Sequence, residues 1–441
     1  WFKKALEGNP EYMDYYIFRE GSPDAPPTNW QSKFGGNAWE YVPRLKKWYL
    51  HLFDVTQADL NWDNPRVRQE LKEVILFWKA KGVKGFRFDV VNLISKPDIF
   101  EDDHKGDGRR FYTDGPRVHE YLQELVRDTG IEDMVTVGEM SSTTLDNCIR
   151  YSRPEDRELS MCFNFHHLKV DYRDGDKWKL TEPDLVRLKQ LFMEWQEGME
   201  RENGWNAVFW CNHDQPRAIS RFGDDGRYWK ESAKMLATVI HMFRGTPYVY
   251  QGEELGMTNP HYGDISQYRD VESINYYRIL TEQGITGEEA LKVLAARSRD
   301  NGRTPMQWDG SRYAGFSQGE PWIGIPENHS YINAQAEAAD SGSILNYYKR
   351  LIALRKEYKV ISEGEIEFIY REHPQVLAYR RTYQGQELVV LANMKASAAD
   401  LGEKPELEGC RQLIGNYGEA DCGQTLEQLK PYECRVYIRT L

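Results

Sequence analysis

From about residue 54 the sequence alternates short apolar runs with amphipathic helical stretches, and three of the runs lead to an acid. A helix is predicted from Pro65 to Lys81, with Val67, Leu71, Val74, Ile75 and Trp78 on one buried face and Gly82 ending it. Gly85-Phe86-Arg87-Phe88-Asp89-Val90-Val91 then reads as a strand. A helix from Pro116 to Asp128 precedes the strand Met134–Glu139, and Leu159–Phe165 is a third strand. Trp205–Trp210 is a fourth, running into Cys211-Asn212-His213-Asp214, and a helix from Glu231 to Phe243 leads to Thr246–Glu253. Such alternation indicates a parallel sheet covered by helices on both faces. With this many repeats the closed (β/α)8 TIM barrel is favoured over an open sheet.

Two regions break the pattern. Residues 1–53 are rich in Tyr, Trp, Pro and Gly with little period and read as an irregular inserted subdomain. The barrel occupies 54–360, ending with a helix from Ile344 to Tyr358. Residues 361–441 carry the strand-like runs Glu365–Tyr370, Val376–Arg380, Leu388–Asn393 and Cys434–Ile438, which predict a C-terminal antiparallel β-sandwich.

Composition excludes several classes. Aromatics make up 13 % of the chain, too many for a disordered protein. Apolar runs such as Val74–Trp78 fall far short of the ~20 residues that cross a bilayer as a helix. The net charge of -12 opposes nucleic-acid binding in the absence of a basic stripe. Six cysteines (Cys148, Cys162, Cys211, Cys410, Cys422 and Cys434) lack CxxC spacing and read as reduced thiols, which suits a cytoplasmic protein.

Asp89, Glu139 and Asp214 each close an apolar run, and polar residues at the carboxyl ends of barrel strands face the active site. One acid in such a place is more often a helix cap or an ion-pair partner. Three together suit glycoside hydrolysis, in which one carboxylate attacks the anomeric carbon and another protonates the leaving oxygen. On successive strands about 4.8 Å apart, Asp89 and Glu139 would meet the ~5–5.5 Å separation of a retaining enzyme. Arg87, two residues before Asp89, would keep it ionised, and the charge on Asp89 would raise the Glu139 acid. His213 offers a donor to a sugar hydroxyl.

These residues carry a resemblance. Gly85–Asp89, Val137-Gly138-Glu139 and Asn212-His213-Asp214, with Gln57-Ala58-Asp59-Leu60-Asn61-Trp62 upstream, resemble the ordered motifs of the alpha-amylase superfamily of glycoside hydrolases. The resemblance implies Asp89 as nucleophile, Glu139 as general acid/base and Asp214 as transition-state stabiliser, with Arg87, His213 and Arg303 holding the non-reducing glucose. Within that superfamily, Gly138–Thr144, Phe165–Tyr172 and Asp264–Ser273 are similar to the trehalose-6-phosphate hydrolases, which release glucose and glucose 6-phosphate. Val90 resembles the branch acting on alpha-1,6 and alpha-1,1 bonds. By the same resemblance His166, Lys169 and Lys177 would bind the phosphate of a small phosphorylated disaccharide. Charge alone argues less for this: residues 163–180 hold Lys169, Arg173, Lys177 and Lys179 against Asp171, Asp174 and Asp176.

The family's first barrel strands, with an Asp-Tyr pair, an Asn-His motif and usually an acidic metal-binding loop, find no counterpart here. The expectation is a barrel without its N-terminal strands, no metal site, no organic cofactor and a monomer, with inactivity of this fragment by itself one outcome. The rivals are an oligo-1,6-glucosidase acting on unphosphorylated isomalto-oligosaccharides and a catalytically dead superfamily member serving as an interaction subunit.

Overall fold

The structure, a computed structural model, describes residues 1–418 and 426–441. Cys422 lies outside the described residues; the other five cysteines are buried. The chain divides into two compact units, residues 1–165 with 202–205, and residues 166–201 with 206–441.

The first unit opens with two short helices, α1 (Phe2–Leu6) and α2 (Pro10–Met13). A three-stranded antiparallel sheet follows, from β1 (Phe18–Glu20), β2 (Trp39–Val42) and β3 (Lys47–Leu50), in the order β1-β3-β2. The first fifty residues thus contain regular structure that period counting could not find, because strands of three or four residues barely complete one alternation. Trp30, Trp39, Leu50 and Tyr112 pack into a common core. The indole N–H of Trp30 donates to the Glu101 carbonyl and that of Trp39 to Thr28 Oγ1, so neither buried ring leaves a polar atom unpaired.

Helix α3 (Pro65–Ala80) starts where Asn64 accepts the backbone N–H of Arg66 and Pro65 occupies the first turn. It stops before Gly82, whose φ of 93° suits a residue without Cβ. Val67 and Ile75 are buried as the periodicity predicts, whereas Val74 and Trp78 are about half exposed. Val67 packs with Ala5, Tyr15 and Tyr16, and the stripe beyond it faces α5 (Val118–Thr129), which follows the single turn α4 (Arg109–Tyr112). Ile75 packs there with Leu125 and Val126, and Arg68 and Lys72 both reach Glu124. Strands β4 (Gly85–Phe88), β5 (Val135–Glu139) and β6 (Met161–Phe163) form a parallel sheet in that order, with α6 (Leu145–Ser152) between β5 and β6.

The second unit begins with the hairpin of β7 (Tyr172–Arg173) and β8 (Asp176–Leu180), then α7 (Leu185–Arg201). Strand β9 (Ala207–Val208), helices α8 (Ala218–Phe222) and α9 (Trp229–Met242), and strand β10 (Thr246–Pro247) follow, β9 and β10 pairing in parallel. The run Trp205–Trp210 therefore yields only two ladder residues, because the chain leaves the ladder before Trp210, whose indole bonds the Leu236 carbonyl of α9. Helices α10 (Val271–Glu282), α11 (Gly287–Arg297), α12 (Ala334–Ala339), α13 (Ile344–Glu357) and α14 (Lys359–Glu363) lead to the C-terminal sheet.

That sheet contains β11 (Glu365–Ile369), β12 (Val376–Tyr383), β13 (Gln386–Asn393), β15 (Arg411–Gly415) and β17 (Cys434–Thr440), in the antiparallel order β11-β12-β13-β17-β15. A short ribbon of β14 (Ala399–Asp400) and β16 (Gln428–Leu429) covers one face, burying Val376, Val389 and Leu391 against Ala399 and Leu429. The other face meets α9: the Tyr379 hydroxyl donates to the Val239 carbonyl at 2.7 Å.

In the segment after β10, Glu253 is partly buried, its Oε1 accepting the Tyr348 hydroxyl at 2.9 Å. Burial pushes its carboxyl up to about 7, and Glu254 adds to the rise, while the Tyr348 hydrogen bond and Arg217 oppose it. The folded value stands above the unfolded one, so the stability this group contributes is whole below about pH 4 and is lost as pH rises through about 7. Glu253→Gln, neutral at every pH, is therefore expected to raise the melting temperature relative to the parent at about pH 8 and to change it little at about pH 4. Scanning calorimetry across that range measures the difference; a gap that stays constant with pH contradicts it.

Candidate active site

In the first unit the parallel ladder aligns Phe88 with Gly138 and Glu139 with Phe163, so Asp89 and Glu139 leave the same end of neighbouring strands. Arg87 lies two residues before Asp89, and an Nη of its guanidinium donates to Asp89 Oδ1 at 2.6 Å. The other Nη contacts Glu139 Oε2. One guanidinium therefore joins both acids, which separates the carboxylates by little more than its own width. Sequence reasoning relied on repulsion between the two acids; the structure sets a positive charge against both of them. Their surroundings still differ sharply: the Asp89 side chain is 72 % exposed and that of Glu139 is 10 % exposed.

The backbone around Asp89 is specialised. Val90 has φ 35° and ψ 42°, a left-handed conformation that a β-branched residue adopts only under constraint. It ends the strand at Phe88 and turns Asp89 outward. The constraint comes from Asn92, buried in the next turn, whose Nδ2 donates to the Ser141 carbonyl and whose Oδ1 accepts the Ser141 N–H. Those bonds tie the chain after β4 to the chain after β5. Asp114 extends the anchor by accepting from Asn92, Thr143, Asn147 and Tyr151. Sequence reasoning missed Asn92; three residues past Asp89, it is a polar residue in an apolar stretch.

In the second unit Asp214 follows β9, with Asn212 Oδ1 accepting its backbone N–H at 2.8 Å. Arg303 holds it twice: Nη2 donates to Asp214 Oδ1 at 2.6 Å and Nε to the His213 carbonyl at 2.7 Å. His213 Nε2 stands 3.5 Å from Asp214 Oδ2. Arg299, which sequence reasoning did not single out, places Nη1 3.6 Å from Asp214 Oδ1 and donates to Asp270 at 2.5 Å. Its spacing of four from Arg303 was the available signal. Gly302, between the two arginines, packs where a Cβ would fall 2.5 Å from the Gln215 carbonyl, so this turn presses directly on the Asp214 segment.

The phosphate candidates divide. His166 and Lys169 share a 3-10 turn (His166–Lys169), with the His166 ring stacked 5.1 Å from Trp195. That turn is anchored by His167, whose Nε2 bonds the Phe209 carbonyl and whose burial holds its pKa down to about 3. Asp171, gripped by Arg221 and Arg297, anchors its far end. Lys177 instead lies on β8 with its ammonium 2.8 Å from Glu272 Oε2. Among the described residues no group of three or more His, Cys, Asp or Glu is placed to hold a metal ion, and no helix is long and apolar enough to cross a membrane.

Acids at the ends of parallel strands, each held by an arginine, define the class: a carbohydrate-active hydrolase on a (β/α) scaffold. The chain belongs to the alpha-amylase family, whose catalytic-domain profile matches residues 1–364. It is 52 % identical over 435 residues to the trehalose-6-phosphate hydrolase of Escherichia coli (strain K12), covering 98 % of this chain and 79 % of that protein. It is 44 % identical to an oligo-1,6-glucosidase of Parageobacillus thermoglucosidasius, covering 99 % and 80 %. The crystal structure of Bacillus licheniformis trehalose-6-phosphate hydrolase matches with a TM-score of 0.94 at 52 % identity, over 100 % of this chain and 81 % of that one. The fold is thus the TIM barrel of the alpha-amylase family with an antiparallel sheet at the C-terminus.

Proposed function

We infer that the protein is a retaining glycoside hydrolase that cleaves trehalose 6-phosphate to glucose and glucose 6-phosphate. The observation that carries the chemistry is the Arg87 guanidinium shared by an open Asp89 and a buried Glu139. Asp89 attacks the anomeric carbon as Glu139 gives its proton to the departing glycosidic oxygen, forming a glucosyl ester and releasing glucose 6-phosphate. Glu139, now a carboxylate, takes a proton from water, whose oxygen displaces Asp89 and releases glucose. Asp214, fixed by Arg303, faces the positive charge that develops at the sugar ring, and Arg87, His213 and Arg303 hold that glucose. His166, Lys169 and Lys177 take the phosphate, and the substrate is a cytoplasmic metabolite. Boundaries near 53/54 and 360/361, separating an inserted subdomain, barrel and C-terminal sandwich, complete this reading.

The oligo-1,6-glucosidase reading is kept because Lys177 is already paired with Glu272 and the surrounding loop is barely basic. Lys169 decides between the two. Lys169→Ala is expected to raise KM for trehalose 6-phosphate about tenfold relative to KM for p-nitrophenyl glucoside, the loss of one charge-assisted contact. Equal changes in both remove the phosphate assignment and leave the acids standing.

A further inference from the structure

Beside the candidate phosphate loop, α10 presents Glu272 two residues after its capping residue, Asp270. One oxygen of Glu272 serves two cations: Lys177 Nζ at 2.8 Å and Arg299 Nε at 3.5 Å. The hairpin that carries Lys177 is docked on the same helix by a second contact, the Trp178 ring stacked on Tyr276 at 4.4 Å, and the Lys177 ammonium lies 4.6 Å from the Trp178 ring centre. Lys177 is thus held in place by packing as well as by charge. Arg299 carries the connection onward, to Asp270 at 2.5 Å and Asp214 at 3.6 Å, and Arg303 closes it on Asp214 at 2.6 Å. In this chain of ion pairs three cations (Lys177, Arg299, Arg303) face three carboxylates (Glu272, Asp270, Asp214). The cluster is formally neutral, which is a poor receptor for a phosphate dianion.

We propose that Glu272 is a specificity-determining residue, an internal anion that occupies Lys177 until a phosphorylated sugar displaces it. The proposal rests on the reading of Lys177 as a phosphate contact and adds the group against which that contact is made. A phosphoryl group carries more charge and more acceptor oxygens than a carboxylate, so it can take Lys177 from Glu272. An unphosphorylated sugar, with hydroxyls alone, cannot. Glu272, released, then belongs wholly to Arg299. Phosphate affinity is set by this exchange: the Glu272 carboxylate competes for Lys177 and limits how strongly a phosphorylated sugar is preferred.

The test compares Glu272→Gln, of the same shape and without charge, with the parent on trehalose 6-phosphate and on p-nitrophenyl glucoside, with inorganic phosphate as an inhibitor. The ratio of KM for the phosphorylated substrate to KM for the aryl glucoside is expected to fall at least threefold, and the inhibition constant of phosphate to fall with it. In the Lys177→Met background the same replacement is expected to leave that ratio where Lys177→Met alone puts it. A ratio that stays constant or rises in Glu272→Gln overturns the role of Glu272. If Lys177→Met by itself leaves the ratio unchanged, the reading of Lys177 as a phosphate contact fails instead. Turnover of the aryl glucoside by each variant reports that it is folded.

Discussion

Replacing Asp89 with Asn is expected to lower kcat on both trehalose 6-phosphate and an aryl glucoside by about 10⁴-fold or more, the scale seen when a covalent nucleophile is removed. Asn keeps the shape of Asp and can still accept from Arg87, so the protein should remain folded with its KM little changed. The chemistry is lost because an amide oxygen is a weak nucleophile toward the anomeric carbon. Glu139→Gln gives the contrasting result. It removes the proton donor, which matters for a poor leaving group such as a sugar hydroxyl and much less for an activated aryloxide. Glu139→Gln should therefore lose turnover of trehalose 6-phosphate while the aryl glucoside still reacts to form the glucosyl-enzyme, detectable as a burst of phenolate. Asp89→Asn should show no burst. An Asp89→Asn variant retaining more than a few per cent of parent turnover would remove Asp89 from the nucleophile role.

The second large effect concerns stability. Arg381 on β12 is fully buried and spends its donors on backbone carbonyls: Met242 at the end of α9, Ile361, Gly364 and Glu365. No carboxylate appears among these partners, and burial lowers its pKa to about 9. Arg355 works beside it, donating to the carbonyls of His241, Phe243 and Gly245. Between them the two arginines satisfy the carbonyls left open where α9 ends. Arg381→Met fills the space but strands several buried acceptors, and is expected to cost about 3–5 kcal/mol of unfolding free energy. Urea unfolding followed by fluorescence measures this as a lower midpoint at similar slope. A midpoint within error of the parent would show that other groups or water take over those carbonyls.

How much of this was legible in the sequence depends on the length of the local pattern. Strands β4 and β5 were readable because each is an apolar run halted by an acid, and β12 and β13 because each contains an apolar run, Val376–Tyr379 and Leu388–Ala392. The three-stranded sheet of residues 18–50 was not, since its strands are too short to display a period and its core consists of tryptophans distant in sequence. Helix α3 was found, but its periodic stripe is wider than the face covered by α5, and periodicity alone does not say which part of a stripe meets a neighbour. In the site, Arg87 and Arg303 were legible from motifs. Asn92, Arg299 and Glu272 were not, because their roles come from partners 49 to 95 positions away or from a turn whose closure depends on another loop. The placement of Lys177 against Glu272 is the clearest case: a basic residue in a loop looks available until its counter-ion arrives from a different helix.

On the proposed function, three strand-end acids act on a phosphorylated disaccharide. Glucose release from trehalose 6-phosphate, trehalose and isomaltose, measured side by side at equal concentration, tests it most directly. Fast release from trehalose 6-phosphate is expected, with release slower by about 10²-fold or more from the two unphosphorylated sugars, the difference that one set of charge-assisted contacts can supply. Isomaltose turned over faster than trehalose 6-phosphate would contradict it.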